Sequence, residues 1–357
     1  MRGNKLFLGL GALVSVMLLS GCAITVGGAS QTAVKADGGI WKSIDGSKNW
    51  VQKVAVPTVN GKTASIANVD VDRISFDPQD HKAVYLSTEK NGIIYSYDGG
   101  DSWRQFNQLN SGKVVQVAIS PRDKCTLYAI TGKVLNFSDD CGRTWSVSYT
   151  HSDDKVLLTD IVIDRSSSTI VYMSDSKGEI LKSLNYGKTW TLLYAAKGSV
   201  ADLVMDPADS QIIYAATAKD GLYMTTNGGK DWSSLNLGLK LYSQSQEYKK
   251  LIADPATTHG LILVSKFGIL KSSDMGQTWQ IVNLLSSDNA VNIYSVAVNP
   301  KNSQEIYYAT KITLLKTSDG GNSWSSSKLP FSGLPNVMVI DPVEINTLYI
   351  GTLAVKK

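Results

Sequence analysis

The sequence predicts an all-β fold, a seven-bladed β-propeller whose closing blade is shared by N- and C-terminal strands. Two observations carry this. One short turn motif recurs at Ser43–Trp50, Ser96–Trp103, Ser138–Trp145, Ser183–Trp190, Thr225–Trp232, Ser272–Trp279 and Thr317–Trp324. Successive copies start 53, 42, 45, 42, 47 and 45 residues apart, with short β runs between them. A period of that size with several strands per repeat indicates one four-stranded blade per repeat. The chain ends are also complementary. Only one strand, Gly38-Gly39-Ile40-Trp41-Lys42, precedes the first motif, whereas Val337–Asp341 and Thr347–Gly351 follow the last with no motif behind them. Together they complete one blade, closing the ring and removing two open sheet edges.

Within each repeat, an inner strand ends in a turn pair: Asp77-Pro78, Ser120-Pro121, Asp164-Arg165, Asp206-Pro207, Asp254-Pro255, Asn299-Pro300 or Asp341-Pro342. The short polar side chain of the first residue caps the turn, and the second leaves the sheet. A second strand follows, such as Ala83–Ser87, Thr126–Ile130, Ile212–Ala216 or Glu305–Ala309. A third, such as Gly221–Met224 or Gly268–Lys271, runs into the turn motif, and the outer strand starts at the motif's Trp. Trp41 stands where other repeats have Tyr223 or Leu270, so it reads as a packing residue of the closing blade.

The motif, hereafter the box, reads Ser/Thr-x-Asp/Asn-x-Gly-x-Thr/Ser/Asp-Trp; the first copy departs from it with Ser47 at the Gly position and Asn49 before the Trp. Its Asp or Asn is expected to accept backbone N–H groups across the hairpin turn. Its Gly permits a positive φ, and its Trp packs against the blade. Two boxes carry Asn185 and Asn227 in place of Asp. A neutral amide keeps the hydrogen bonds and loses the charge, so the position reads as structural.

The N-terminus reads as an export signal. Arg2 and Lys5 precede an apolar run, Leu6–Leu19, then Ser20-Gly21 and Cys22. The run falls short of the roughly 20 residues a spanning helix needs. Leu19-Ser20-Gly21-Cys22 resembles the lipobox of bacterial lipoproteins, which implies that residues 1–21 are removed and that Cys22 carries the acyl chains. Residues 22–36 read as the lipidated Cys and a small, polar tether, and residues 37–357 as the propeller. The expected location is therefore lipid-anchored, on the periplasmic or extracellular face of a membrane.

Removing residues 1–21 lowers Lys+Arg from 35 to 33 against 31 Asp+Glu. That near-neutral balance, without a basic stripe, gives no nucleic-acid footprint. Cys125 and Cys141 are the cysteines left after Cys22, and an oxidising compartment predicts that they are bridged. Lys124–Ile130 and Val134–Ser138 read as a hairpin turning near Gly132, placing Cys125 opposite about residue 139 and Cys141 on the same face. His81, His151 and His259 fall in three different repeats, so no metal cluster is readable, nor is a nucleotide loop or a Ser-His-Asp set. No cofactor is expected, and the propeller reads as monomeric.

Four positions upstream of each inner-strand turn residue lies a column: Arg73, Gln116, Asp160, Asp202, Lys250, Ser295 and Val337. The following positions are apolar in most repeats (Ile161-Val162-Ile163; Leu203-Val204-Met205), so the buried strand becomes polar here. The column is expected to ring the mouth of the central channel. Asp160 and Asp202 would lie on neighbouring blades with Arg73 and Lys250 flanking them, as solvated strand ends or as a binding funnel.

The boxes resemble the Asp-box, or BNR, repeat of sialidases, sortilin-type receptors, two-propeller xyloglucanases and the photosystem II assembly factor of cyanobacteria and chloroplasts. The resemblance covers about residues 37–357. The overall layout is similar to the assembly-factor group in having one seven-bladed propeller, an export signal and, in cyanobacteria, a lipid anchor. Such propellers include enzymes and pure binding proteins, so the resemblance implies the fold more than the activity. A sialidase-like site needs three Arg from separate blades. After the export signal there are Arg73, Arg104, Arg122, Arg143 and Arg165, all in the first half, and Arg143 lies inside a box. A xyloglucanase-like site resembles a cleft between two propellers with one catalytic Asp from each. The expected function is a non-catalytic binding or assembly scaffold for a protein or glycan partner, with Arg73, Gln116, Asp160, Asp202 and Lys250 as candidate ligand-binding residues. The alternative is a carbohydrate-active glycoside hydrolase using Asp160 and Asp202 as its carboxyl pair.

Overall fold

The computed structural model describes residues 36–58, 64–285 and 292–353. The export signal, Cys22 and nearly all of the tether lie outside the described residues. Seven four-stranded antiparallel sheets form the ring of a seven-bladed β-propeller. Blade 1 takes Leu334–Ile340 and Leu348–Leu353 from the C-terminal end and Gly39–Ser43 and Val51–Lys53 from the N-terminal end. Gly39–Ser43 pairs with Leu348–Leu353 in the register Trp41↔Ile350, so the expected seam is present.

The other blades run inner to outer in chain order. Blade 2 is Val71–Asp77, Asp80–Thr88, Ile93–Ser96 and Arg104–Gln105; blade 3 is Gln116–Ile119, Leu127–Thr131, Val134–Ser138 and Ser146–Thr150. Blade 4 is Leu158–Ile163, Val171–Asp175, Glu179–Ser183 and Thr191–Ala195. Blade 5 is Val200–Met205, Ile213–Thr217, Leu222–Thr225 and Ser233–Ser234. Blade 6 is Tyr248–Asp254, Gly260–Ser265, Ile269–Ser272 and Gln280–Val282; blade 7 is Ser295–Asn299, Asn302–Ala309, Thr313–Thr317 and Ser325–Lys328. A two-stranded hairpin, Ala55–Val56 with Ala64–Ser65, accounts for the longest repeat spacing.

The core is distributed between blades. Each hydrophobic cluster joins two neighbours, as where Tyr128 and Ile130 of blade 3 meet Ile161 and Val171 of blade 4, and Ile40 and Tyr349 of blade 1 meet Ile74 and Val84 of blade 2. The second strands are covered on both faces by adjacent blades. Val171–Asp175 and Ile213–Thr217 are therefore buried along their whole length rather than alternately.

The boxes form the turns between third and outer strands, and each outer strand begins one residue after its Trp. Asp98 Oδ1 accepts the Ser102 N–H at 2.9 Å, and Asn185 Oδ1 accepts the Thr189 N–H at 2.9 Å, so acid and amide serve alike. The leading Ser or Thr also acts: Ser96 Oγ donates to Asp98 and accepts the Gly100 N–H at 2.8 Å. Gly100 sits at φ 83°, and in the first box Ser47 takes the same left-handed conformation at φ 76°. Several Trp ring nitrogens find carbonyls, in their own turn (Trp190 to Gly187) or in the preceding blade (Trp103 to Lys53), whereas those of Trp232 and Trp279 are buried without a partner.

Cys125 and Cys141 are joined. The register Leu127↔Ser138 puts Cys125 opposite residue 140 rather than 139, because the turn is the pair Gly132-Lys133, between Thr131 and Val134, rather than centred on Gly132. The Cys141 N–H donates to the Cys125 carbonyl at 3.1 Å.

A buried charge network across the channel

Five inner strands carry a β-bulge at one repeat position: between Val71 and Arg73, Leu158 and Asp160, Val200 and Asp202, Tyr248 and Lys250, and Pro335 and Val337. The column residue follows each bulge. An extra residue bends the strand and re-aims the next side chain, and here it turns the column inward from several blades at once.

The result is a single network. Arg73 Nη1 lies 2.9 Å from Gln116 Oε1, 3.6 Å from Asp160 Oδ1 and 3.5 Å from Asp202 Oδ1. Lys250 Nζ lies 3.0 Å from Asp202 Oδ2, which also accepts the Tyr248 hydroxyl. Asp160 is bound to main chain, Oδ2 taking the Leu203 N–H at 2.7 Å and Oδ1 the Ile161 N–H at 2.8 Å. Gln116 Nε2 donates to the Ile161 carbonyl at 3.0 Å. The column thus ties blade 3 to blade 4 and blade 4 to blade 5, while Arg73 spans from blade 2 to blade 5.

This corrects the expectation of solvated strand ends. Asp160 is 1% exposed and Asp202 4% exposed, since the bulges direct them beneath the guanidinium instead of into solvent. Arg73 and Lys250 keep 28% and 47% of their side-chain surface. Ser295 is buried, and Val337 contributes only apolar surface, so neither joins the polar network.

Burial pushes the Asp160 carboxyl well above its ordinary range, against the pull of Arg73 and with the Asp202 charge adding to the rise. Burial also opposes the charge on Asp202, but Lys250, a hydrogen bond from Asp160, Arg73 and Tyr248 together hold its carboxyl well below the usual range. Asp202 is therefore the ionised member and Asp160 the one that takes up a proton. Burial and the Asp202 charge raise the Tyr248 phenol well above its ordinary value, so it stays a donor.

Beside the network lies a cavity of about 380 Å³, walled by Arg73, Asp202, Tyr248, Lys250, Tyr294 and Asn336 among others. Asp160 does not line it. Tyr248 was not anticipated from the sequence: sister strands carry Val71, Leu158 and Val200 at its position, so it reads as packing. A hydroxyl at an otherwise apolar repeat position was the available signal. Among the described residues, one group of metal-ligand type stands apart from this site, His151 with Asp175 and Glu179.

No family model and no curated protein matches this chain. Solved structures match its shape. The GH74 xyloglucanase from Xanthomonas campestris aligns with a TM-score of 0.64 at 16% identity, over 80% of this chain and 51% of that one. A YCF48 bound to D1 peptide aligns with a TM-score of 0.61 at 17% identity, over 85% of this chain and 96% of that one. YCF48 from Cyanidioschyzon merolae gives 0.61 at 15% identity, over 84% and 98%. The chain spans about half the length of the xyloglucanase. At these identities the likeness is one of fold: the chain is a seven-bladed β-propeller similar in shape to both.

Proposed function

We propose that this chain is an exported, lipid-anchored and non-catalytic binding scaffold, which takes a polar or anionic segment of a partner at the channel mouth. The observation that carries the reading is the engagement of its carboxyl pair. Asp160 and Asp202 both turn to Arg73 Nη1, at 3.6 and 3.5 Å, and both are buried. A glycosidase pair instead flanks the scissile bond, with carboxyls about 5–5.5 Å apart in retaining enzymes and about 6.5–9.5 Å apart in inverting ones. The cavity wall carries three cations, Arg73, Lys249 and Lys250, against two carboxyls, Asp72 and Asp202. Such a set suits carboxylates, backbone carbonyls or sugar hydroxyls. A structural neighbour carrying a bound peptide supports a protein partner, and the anchor rests on Cys22 at the end of the export signal.

The test is co-purification of partners from native membranes by the full chain, with Lys250→Gln compared against Lys328→Gln on the exposed outer strand of blade 7. Loss of a partner with Lys250→Gln alone supports the reading, and equal recovery by both variants removes the channel mouth from it. Turnover of xyloglucan or sialosides that disappears in Asp160→Asn would replace the scaffold with the glycoside hydrolase alternative. Cys22→Ser should release the protein from membranes or leave the precursor uncleaved. A processed variant that stays membrane-bound would exclude the anchor.

A further inference from the structure

His151, Asp175 and Glu179 come together where blade 4 meets the connection from blade 3. His151 follows the outer strand Ser146–Thr150 of blade 3, while Asp175 and Glu179 bracket the turn between the second and third strands of blade 4. His151 Nε2 lies 3.7 Å from Asp175 Oδ2 and 4.0 Å from Glu179 Oε2. Nothing in the repeat pattern unites them, since His151 belongs to a connection outside the strands.

Asp175 is fully buried, and its two oxygens differ. Oδ1 accepts the N–H groups of Lys177, Gly178 and Glu179 at 2.8, 2.9 and 3.0 Å, fixing the carboxylate in the turn. Oδ2 has no hydrogen-bond partner and points toward His151 Nε2, beyond hydrogen-bond reach. A buried carboxylate oxygen without a donor is costly, and such a group calls for a missing partner.

A cation supplies one. We propose that His151 Nε2, Asp175 Oδ2 and Glu179 hold a divalent transition-metal ion of the zinc class. One imidazole and two carboxylates form a mixed nitrogen–oxygen set that favours such an ion over magnesium or calcium, which prefer oxygen ligands alone. Ligands at about 2.1 Å from an ion stand about 3.4 Å apart in a tetrahedron, so the two distances from His151 close by about 0.3 and 0.6 Å, and the two carboxylates, which lie with it inside 4.8 Å, draw together as well. Glu179 supplies that movement: its side chain is 34% exposed, against 7% for His151 and 0% for Asp175. Its open side is the entry path and leaves room for water in the remaining coordination position.

The second ring nitrogen changes partner on binding. His151 Nδ1 lies 3.0 Å from the Asp153 N–H and 3.3 Å from the Asp153 carbonyl. Metal on Nε2 requires the proton on Nδ1, so binding shifts that nitrogen from accepting the Asp153 N–H to donating to the Asp153 carbonyl, a backbone partner of the kind ligating histidines commonly use. Lys177, the nearest cation in the turn, is engaged with Asp153 at 3.1 Å and leaves the triad to the ion.

The experiment is titration of the full chain, purified without a metal-affinity tag, with Zn²⁺ by calorimetry and with Co²⁺ by visible absorption. One saturable equivalent is expected, with Mg²⁺ and Ca²⁺ failing to compete at a hundredfold excess. Glu179→Gln and His151→Gln should each weaken Zn²⁺ binding at least tenfold and abolish the cobalt spectrum. Glu179→Gln leaves the Asp175 turn intact, so loss of folding does not obscure the result, and circular dichroism checks it. Absence of saturable binding, or equal affinity in the wild type and both variants, overturns the site.

Discussion

Arg73 reaches across the ring to Asp202, Nη1 to Oδ1 at 3.5 Å, and so joins blade 2 to blade 5 through the channel. Neighbouring blades of a propeller already share apolar clusters. This contact adds a tie between blades that are not neighbours, and it depends on one buried carboxylate.

Asp202→Ala should therefore destabilise the fold, because it leaves Arg73, Lys250 and Tyr248 without their shared acceptor. Removing one member of a buried pair costs about 3–5 kcal/mol, and the partial exposure of both cations places this case at the lower end. Chemical denaturation should show a lowered midpoint. Arg73→Met in the Asp202→Ala background should cost less than it does alone. Additive losses would mean that the two residues act independently.

The pH dependence should have two limbs. Asp202 has a depressed folded pKa, so its contribution is complete above the unfolded value of about 4 and is lost as pH falls below it. Asp72 runs the other way. Burial, then Glu89, pushes its carboxyl up to about 7 against the pull of Lys113, so the folded state holds a proton that the unfolded state releases. Stability from this group is present below about pH 4 and declines as pH rises toward 7. Thermal melts at pH 5 and pH 7.5 should differ less in Asp72→Asn than in the wild type; an unchanged difference would discount Asp72.

In the boxes, Gly187→Val should be severe and Asn185→Asp nearly silent. A Cβ on Gly187, at φ 77°, would meet Ser148 Oγ at 2.6 Å. Asn185 Oδ1 makes the same turn hydrogen bond that Asp makes in sister boxes. Trp190→Ala should lie between them, toward the lower end of the roughly 3–5 kcal/mol seen for large buried aromatics, since its ring is half-buried. Melting temperatures rank the three, and a destabilising Asn185→Asp would show that charge matters at this position.

Intact-mass measurement after alkylation without reductant should find Cys125 and Cys141 unmodified in native material. Closing a loop of about 15 residues contributes roughly 3 kcal/mol in the chain-entropy picture, so reduction should lower the melting temperature. Two alkylated thiols would exclude the bridge.

The blades were legible in the sequence because each repeats the same box, and the seam because Gly38–Lys42 lacks a partner until Val337–Asp341 and Thr347–Gly351 supply it. The column Arg73, Gln116, Asp160, Asp202 and Lys250 was legible by position. Its burial was not, because a bulge does not alter composition and a polar residue at a strand end reads as solvated. Tyr248 was hidden by apolar residues at its position in sister blades. His151, Asp175 and Glu179 were hidden because a non-repeating connection carries the histidine to the turn.

The shared blade also fixes when this protein becomes a closed object. Until Leu334–Leu353 has emerged, Gly39–Ser43 has no inner neighbour, and the apolar sides of blades 7 and 2 that should meet blade 1 lie open. Ring closure must join residues about three hundred positions apart, the kind of long-range pairing that folds slowly. Six assembled blades without it would expose two apolar flanks, the kind of surface that makes partly folded chains aggregate. Anything that delays or shortens that final segment should appear as lost yield before it appears as lost binding.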